Sequence, residues 1–296
     1  MRQFTIAGKT ITDDSPPYVI AELSHNHNGD LSLAGEMIRQ ASGCGAQAVK
    51  LQKRSPHFYD ALRRRGLGDY AAIREARELN GTQYTILRNE AHVLGLASLA
   101  TAFDEWALGF LLDVGVDAIK LASGAVHNLP LIKAVANANL PILLSTGCAD
   151  MDAIERAMDI LQGSNVALLQ CTSAYPCMPW ALNLRVIQTY RQRWRETVVG
   201  LSSHVLHNRF EVIGHKLGAR IFEKHFTLDH NLGEGDHRNS LDPEGLRDMV
   251  QHWGVIRYDA NEFETVLGDG VKRFLPCEEI GRQRLDMTYS IHSSGR

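Results

Sequence analysis

Short apolar runs alternate with longer stretches of helical period along this chain. Eight runs stand out: Tyr18–Leu23, Ala46–Leu51, Ala97–Phe103, Ala118–Ala122, Pro141–Ser145, Val166–Cys171, Val198–Ser202 and Ala219–Phe226. Runs this short and this apolar fit strands buried on both faces, as in a parallel sheet. Between most of them the apolar residues recur at helical spacing. Met151, Ile154, Met158 and Leu161 fall on one helix face, and so do Leu33, Met37 and Ile38. Eight strand–helix units predict an α/β fold, a closed (β/α)8 TIM barrel over residues 17–268. An open doubly wound sheet is the rival, weakened because no GxGxxG follows the first run. Phe4–Ile11 carries a Gly-Lys turn between apolar pairs, which predicts a β-hairpin within residues 1–16 that plugs the barrel bottom. Residues 54–81 form a long polar excursion after the second run, and Thr227–Asp242 a second one after the eighth. Residues 269–296 read as an irregular tail.

Composition narrows the function classes. The 296 residues are 44% hydrophobic and 22% charged, an ordinary globular balance. A net charge of −3 gives no electrostatic footprint for nucleic acid, and Arg63-Arg64-Arg65 reads as a solvated loop or helix end. No apolar run approaches membrane-spanning length, and no secretory leader is evident. Five cysteines without a CxxC pair suit reduced thiols, so a cytoplasmic setting is expected.

In a barrel, chemistry sits at the C-terminal ends of the strands. Glu22, Lys50, Lys120 and Glu223 interrupt otherwise apolar runs there, and a charge inside such a run is costly unless paired or functional. Two lysines together with the hydroxyls of Thr101, Ser123 and Ser202 suit an anion with several oxygens, a phosphate first of all. His204 and His225 end the last two strands. They read as the ligands of a divalent metal or, more blandly, as a hydrogen-bonded pair, with Glu22 near enough to join a metal site. His25 and His27 either line the mouth or sit in a solvated loop, and Cys148 and Cys171 read as small buried hydrophobes.

These strand-end residues resemble those of the sialic acid synthase family, the N-acetylneuraminate synthases and their legionaminate and pseudaminate relatives. The similar segments are VIAELSHNHNGDL (19–31), AVKLQ (48–52), IKLASG (119–124), LSTG (144–147), LQCTSAYP (169–176), VGLSSH (199–204), FEKHFTLD (222–229) and GEGDHRNSLDP (233–243), all in the family's order. The resemblance implies a metal-dependent condensation of phosphoenolpyruvate with an aldehyde sugar, N-acetylmannosamine or a related acceptor, giving a 3-deoxy-2-keto acid and phosphate. By it, Lys50, Thr101, Lys120, Ser123, Ser173 and Ser202 hold phosphoenolpyruvate. His204 and His225 hold Mn2+ or Mg2+, Glu22 lies near the metal-bound water, and Gln52, Tyr175 and Asp236 contact the acceptor.

The chain departs from the family pattern on the acceptor side. Ser123-Gly124-Ala125 stands where the family has Ser-Gly-Glu, and Ser202-Ser203-His204 where Ser-Asp-His is frequent. The C-terminal antifreeze-like domain of most members is expected to be absent. These changes leave the identity of the acceptor open. The resemblance implies a homodimer, and the expected lack of that domain motivates a partner protein that completes the site. Two rival readings keep the barrel: a pyruvate-dependent aldolase with Lys120 as its Schiff-base lysine, and a catalytically degenerate binding homologue.

Overall fold

The computed structural model describes residues 1–206, 208–233, 235–251, 253 and 260–279. A two-stranded antiparallel hairpin, β1 (Gln3–Ile6) and β2 (Lys9–Thr12), precedes eight parallel strands. These are β3 (Tyr18–Ser24), β4 (Ala48–Lys53), β5 (Ala97–Ala102), β6 (Ala118–Leu121), β7 (Ile142–Ser145), β8 (Val166–Cys171), β9 (Val198–Ser203) and β10 (Ile221–His225). They run in order round a closed barrel in which β10 pairs with β3. The helices are α1 (Leu31–Gly43), α2 (Pro56–Arg64), α3 (Gly68–Glu75), α4 (Gly81–Val93), α5 (Glu105–Val114), α6 (Leu129–Ala136), α7 (Met151–Ile160), α8 (Val186–Arg193), α9 (Phe210–Lys216), α10 (Pro243–Gln251) and α11 (Ala260–Leu267). All eight predicted strands form, and the predicted TIM barrel is the fold. No helix among the described residues is long and apolar enough to cross a membrane.

Alternation along each strand decides what faces where. Outward residues such as Val19, Val49, Ile119, Leu144 and Leu168 pack with the helices in one large core. Inward residues of the lower barrel, among them Ile20, Leu99, Leu143, Leu169 and Ile221, form a second core, which Phe4, Ile6 and Ile11 of the hairpin complete from below. Gly200 sits inside that core. A Cβ there would lie 2.4 Å from the Ile221 carbonyl oxygen and 2.5 Å from Leu169 Cδ2, so the position has room only for glycine.

Above that layer the inward positions change character. The same strand faces now present Glu22, Lys50, Thr101, Lys120, Ser145, Cys171, Ser202 and Glu223, all buried. The barrel is thus sealed by apolar side chains below and polar-lined above, which places the chemistry at the C-terminal mouth.

The polar excursion after β4 contains two helices, α2 and α3. Ser55 caps α2 through its hydroxyl, Pro56 occupies the first turn, and Tyr59, Leu62 and Ala71 make a small core of their own. Of the predicted tail, 269–279 is irregular apart from a 3-10 turn at Pro276–Glu278. Its remainder, 280–296, lies outside the described residues.

Candidate active site

The four charges that break the strands meet one another inside the mouth. Lys50 Nζ pairs with Glu22 Oε2, and lies 2.8 Å from Thr101 Oγ1 and 3.6 Å from Glu223 Oε1. Lys120 Nζ donates to Glu223 Oε1 at 3.1 Å, and Ser202 Oγ donates to the same oxygen at 3.3 Å. Burial works to raise the Glu223 carboxyl, but Lys120 and Lys50 outweigh it and hold it at about 2. Burial pushes the Lys120 ammonium down, against Glu223. Lys120 spends one of its three N–H donors on Glu223, so it keeps donors for an incoming anion. Glu223 Oε2 and Ser145 Oγ are buried without a hydrogen-bond partner among the described residues. Unsatisfied buried polar atoms on the inward strand faces are what a polar ligand would complete.

Beside Lys120, three elements bring small groups together. Ser123 opens a 3-10 turn after β6, and its Oγ accepts from Gly147 N at 3.0 Å. A Cβ on Gly147 would lie 2.2 Å from Ser173 Oγ and 2.7 Å from Ser123 Oγ, so both hydroxyls converge on this glycine. Glu278 holds the cradle from behind. It is fully buried, and its Oε1 accepts from the amides of Cys148 and Ser173, both at 2.8 Å. Lys272 Nζ donates to the Cys171 carbonyl at 2.8 Å. Nothing in the local pattern of the predicted tail marks Lys272 or Glu278; only the closed fold brings them to the ends of β7 and β8.

The two histidines lie at the top of adjacent strands with ring centroids 5.4 Å apart. His204 Nδ1 donates to the Thr172 carbonyl at 2.9 Å; burial works to lower the ring, but the Cys171 thiol and that carbonyl outweigh it and hold the imidazole above its ordinary value. Burial depresses His225 to about 4, so its ring is neutral, and its Nδ1 is buried without a hydrogen-bond partner 3.7 Å from Asp236 Oδ2. Two adjacent imidazoles, one of them with an orphaned ring nitrogen, and a carboxylate alongside are a donor set that fits a divalent ion, whose binding would displace any proton on the His204 ring. The described residues contain no ready group of three or more such ligands, so water or substrate oxygens would have to fill the remaining positions. Cys171, beyond being a small buried residue, lies against His204. Burial works to raise its thiol, but His204 and Ser123 outweigh that and hold it below its ordinary value.

The predicted acceptor residues share this region. Gln52 Nε2 donates to Glu22 Oε1 at 2.7 Å and to Ser24 Oγ at 3.2 Å, and Ser24 in turn bonds Asp236. Asp236 arrives on the loop after β10. Leu241 N donates back to the His225 carbonyl to close that loop, and Asn26 Oδ1 accepts from Asp236 N. The Tyr175 ring lies 4.1 Å from His204 and is 45% exposed, so it roofs the histidine pair. Ala125 is fully buried in the outer core and offers no polar group. His25 and His27 are buried, not solvated; burial depresses them to about 4 and about 3. Arg54, at the start of the excursion, escaped the sequence reading because it looks there like one more polar loop residue.

A model of the NeuB family matches residues 37–271. The chain is similar to N-acetylneuraminate-9-phosphate synthase of Homo sapiens at 33% identity, over 94% of this chain and 79% of that protein. It is similar at the same identity to N,N'-diacetyllegionaminic acid synthase of Legionella pneumophila, over 86% of this chain and 74% of that one. Among solved structures, the N-acetylneuraminic acid synthetase of Leptospira borgpetersenii, in complex with citrate, superposes with a TM-score of 0.78 at 29% identity. That match covers 95% of this chain and 96% of the other. Spore coat polysaccharide biosynthesis protein SpsE of Bacillus subtilis gives a TM-score of 0.83 at 30% identity, over 95% and 80%.

Proposed function

The chain belongs to the NeuB family, and from that premise we propose that it condenses phosphoenolpyruvate with the open-chain aldehyde of a sugar, releasing phosphate and a sialic-acid-like 3-deoxy-2-keto acid. The observation that carries the reading is the stacking at one mouth of two layers: the buried Lys50–Glu22–Glu223–Lys120 network and, above it, the His204–His225 pair.

Lys120 and Lys50 supply the fixed positive charge for the phosphate and carboxylate, and the hydroxyls of Thr101, Ser123, Ser173 and Ser202 donate to their oxygens. Against burial, Glu22 and Glu223 hold the Lys50 ammonium above its ordinary value, and Glu223 places Lys120 before substrate arrives. Gln52, Tyr175 and Asp236 hold the acceptor so that its aldehyde carbon faces C3 of phosphoenolpyruvate. A divalent ion, Mn2+ or Mg2+, held by His204 and His225 would supply Lewis-acid polarisation of that aldehyde. C3 bonds to the aldehyde carbon, water adds at C2, and phosphate departs from the resulting tetrahedral carbon. Glu22, bonded to Gln52 and Lys50, is placed to hold the proton given up by that water. Lys120 lies in an ion pair with Glu223 beside a second lysine, Lys50, a charged setting that suits a phosphate better than the apolar pocket of a Schiff-base aldolase.

Cytoplasmic operation and a homodimer belong to the same reading. Half-exposed Tyr175, Met178, Trp180 and Leu206, all on loops at the mouth, support a second copy or a partner lying over it. Light scattering that finds a fully active monomer overturns that part.

The test is a thermal-shift titration with phosphoenolpyruvate, with and without Mn2+, followed by phosphate release with a panel of aldehyde sugars. A saturable shift with phosphoenolpyruvate and none with pyruvate is expected; a hundredfold excess over Kd corresponds to about 2.7 kcal/mol of added stability. No shift in either condition overturns the reading, and so does metal-dependent turnover that persists in His225→Ala.

A further inference from the structure

An ion pair is buried on the outer face of the barrel, behind the histidine pair. Lys224 and Glu211 are 2% and 0% exposed. Lys224 lies on β10 between Glu223 and His225, but alternation turns it away from them, toward the helices. Its Nζ lies 3.2 Å from Glu211 Oε1 on α9 and donates to the Val205 carbonyl at 2.7 Å. Neither Glu211 oxygen has a hydrogen-bond donor among the described residues, so the Lys224 ammonium is what compensates its charge. Val205, Phe210, Ile213 and Phe222 belong to the apolar core of this region. Stability does not account for the pair, because well-packed apolar side chains of similar volume often serve as well or better in such a place. Its use lies in what the ammonium holds.

Val205 follows His204, and Lys224 precedes His225. The β9–β10 ladder has its last paired residues at Ser203 and Lys224, so both histidines lie one residue beyond it. There each histidine is tied to a different neighbour. His204 is held on the β8 side: its Nδ1 bonds the Thr172 carbonyl, and its own carbonyl accepts from Cys177 N at 3.0 Å. His225 is held on the β3 side: it pairs in register with Glu22, and its carbonyl accepts from Leu241 N at 2.7 Å. The bond from Lys224 Nζ to the Val205 carbonyl crosses between these two groups at the level of the imidazoles.

We propose that Lys224 and Glu211 are positioning residues for the His204–His225 pair. Glu211 fixes the ammonium, the ammonium fixes the Val205 carbonyl, and that bond sets the spacing of the two rings, whose centroids lie 5.4 Å apart. This rests on the reading of the two histidines as ligands of a divalent ion, and adds the residues behind them that hold their spacing.

The test measures the Mn2+ affinity of the full chain from the electron paramagnetic resonance of free Mn2+. The melting-temperature shift caused by phosphoenolpyruvate without metal is measured in parallel. Lys224→Met combined with Glu211→Leu replaces the pair by apolar side chains of similar size. In that variant the Kd for Mn2+ is expected to rise about 10- to 100-fold, with the phosphoenolpyruvate shift unchanged. Glu211→Gln alone should also weaken Mn2+ binding. Ser203 is the register partner of Lys224, and its buried Oγ lacks a hydrogen-bond partner among the described residues. Adding Ser203→Asp to Glu211→Gln returns a carboxylate beside Lys224 and should recover Mn2+ affinity. Unchanged Mn2+ affinity in the Met/Leu and Gln variants overturns the positioning role. So does an equal loss of Mn2+ and phosphoenolpyruvate binding, which would mean that the pair only supports the fold. Wild-type protein that binds no Mn2+ instead overturns the metal reading itself, and this role with it.

Discussion

Replacing Glu278 tests whether the segment after α11 is part of the phosphoenolpyruvate cradle. Its carboxylate accepts from three backbone amides: Cys148 and Ser173 on Oε1, both at 2.8 Å, and Leu275 on Oε2 at 3.0 Å. Glu278→Ala leaves the first two buried N–H groups without an acceptor, at about 1–3 kcal/mol each. The expected destabilisation is therefore about 2–6 kcal/mol, before any cavity contribution. Glu278→Gln keeps one carbonyl for those amides but turns charge-assisted bonds into neutral ones of roughly half the strength. It also points an NH2 at Leu275, for a total loss of about 1–2 kcal/mol. Because the carboxylate ties the turn after β7 to the end of β8, its loss also frees Gly147 and Ser173. Phosphoenolpyruvate affinity should fall roughly tenfold or more in the alanine variant and less in glutamine, the equivalent of losing one or two hydrogen bonds. Urea denaturation and the phosphoenolpyruvate titration read the two effects separately. An alanine variant within about 0.5 kcal/mol of wild type, with an unchanged titration, would refute the argument.

Other consequences are as direct. Glu223→Ala leaves Lys50 and Lys120 buried with one carboxylate fewer, and should cost about 3–5 kcal/mol in urea denaturation; a loss below about 1 kcal/mol contradicts the network. Gly147→Ala forces the Ser123 and Ser173 hydroxyls aside, so phosphoenolpyruvate binding should weaken roughly 5- to 150-fold, two neutral hydrogen bonds, in a protein that still folds. An unaltered titration would show that those hydroxyls do not bind it. His25 and His27 have folded values depressed to about 4 and about 3, so the unfolded chain takes up protons that the native state refuses. Their contribution to stability is intact above about pH 6.5 and is lost as pH falls toward 4, at about 1.4 kcal/mol per pH unit for each ring. Denaturation at pH 7.5 and 5 checks this, and equal stability at both would show that the rings are not held neutral.

Much of this protein was fixed locally. Uninterrupted apolar runs can be satisfied only by strands covered on both faces, and Asp30, Asp104 and Asp150 cap the helices that follow three of the connecting loops. Eight such units leave a closed barrel as the solution. Once the barrel is assumed, alternation alone puts Glu22, Lys50, Thr101, Lys120, Ser202 and Glu223 on one inner face near one end. That is why the charged interruptions were legible as a site. What the sequence could not decide is how those charges share one another. Whether Lys120 or Lys50 sits closer to Glu223 depends on the stagger of strands around the closed barrel, and that is a property of closure, not of any strand. The same holds for groups delivered from afar. Glu278 reaches Ser173 across 105 residues, and Asp236 reaches Ser24 across 212. Arg54 looks in the sequence like any polar loop residue. Only the packing of Phe103 and Phe58 around it turns it into a buried charge. Periodicity records which face a side chain takes, because that is set by its own backbone; the partners it meets there are set by chain segments whose approach only the tertiary fold determines.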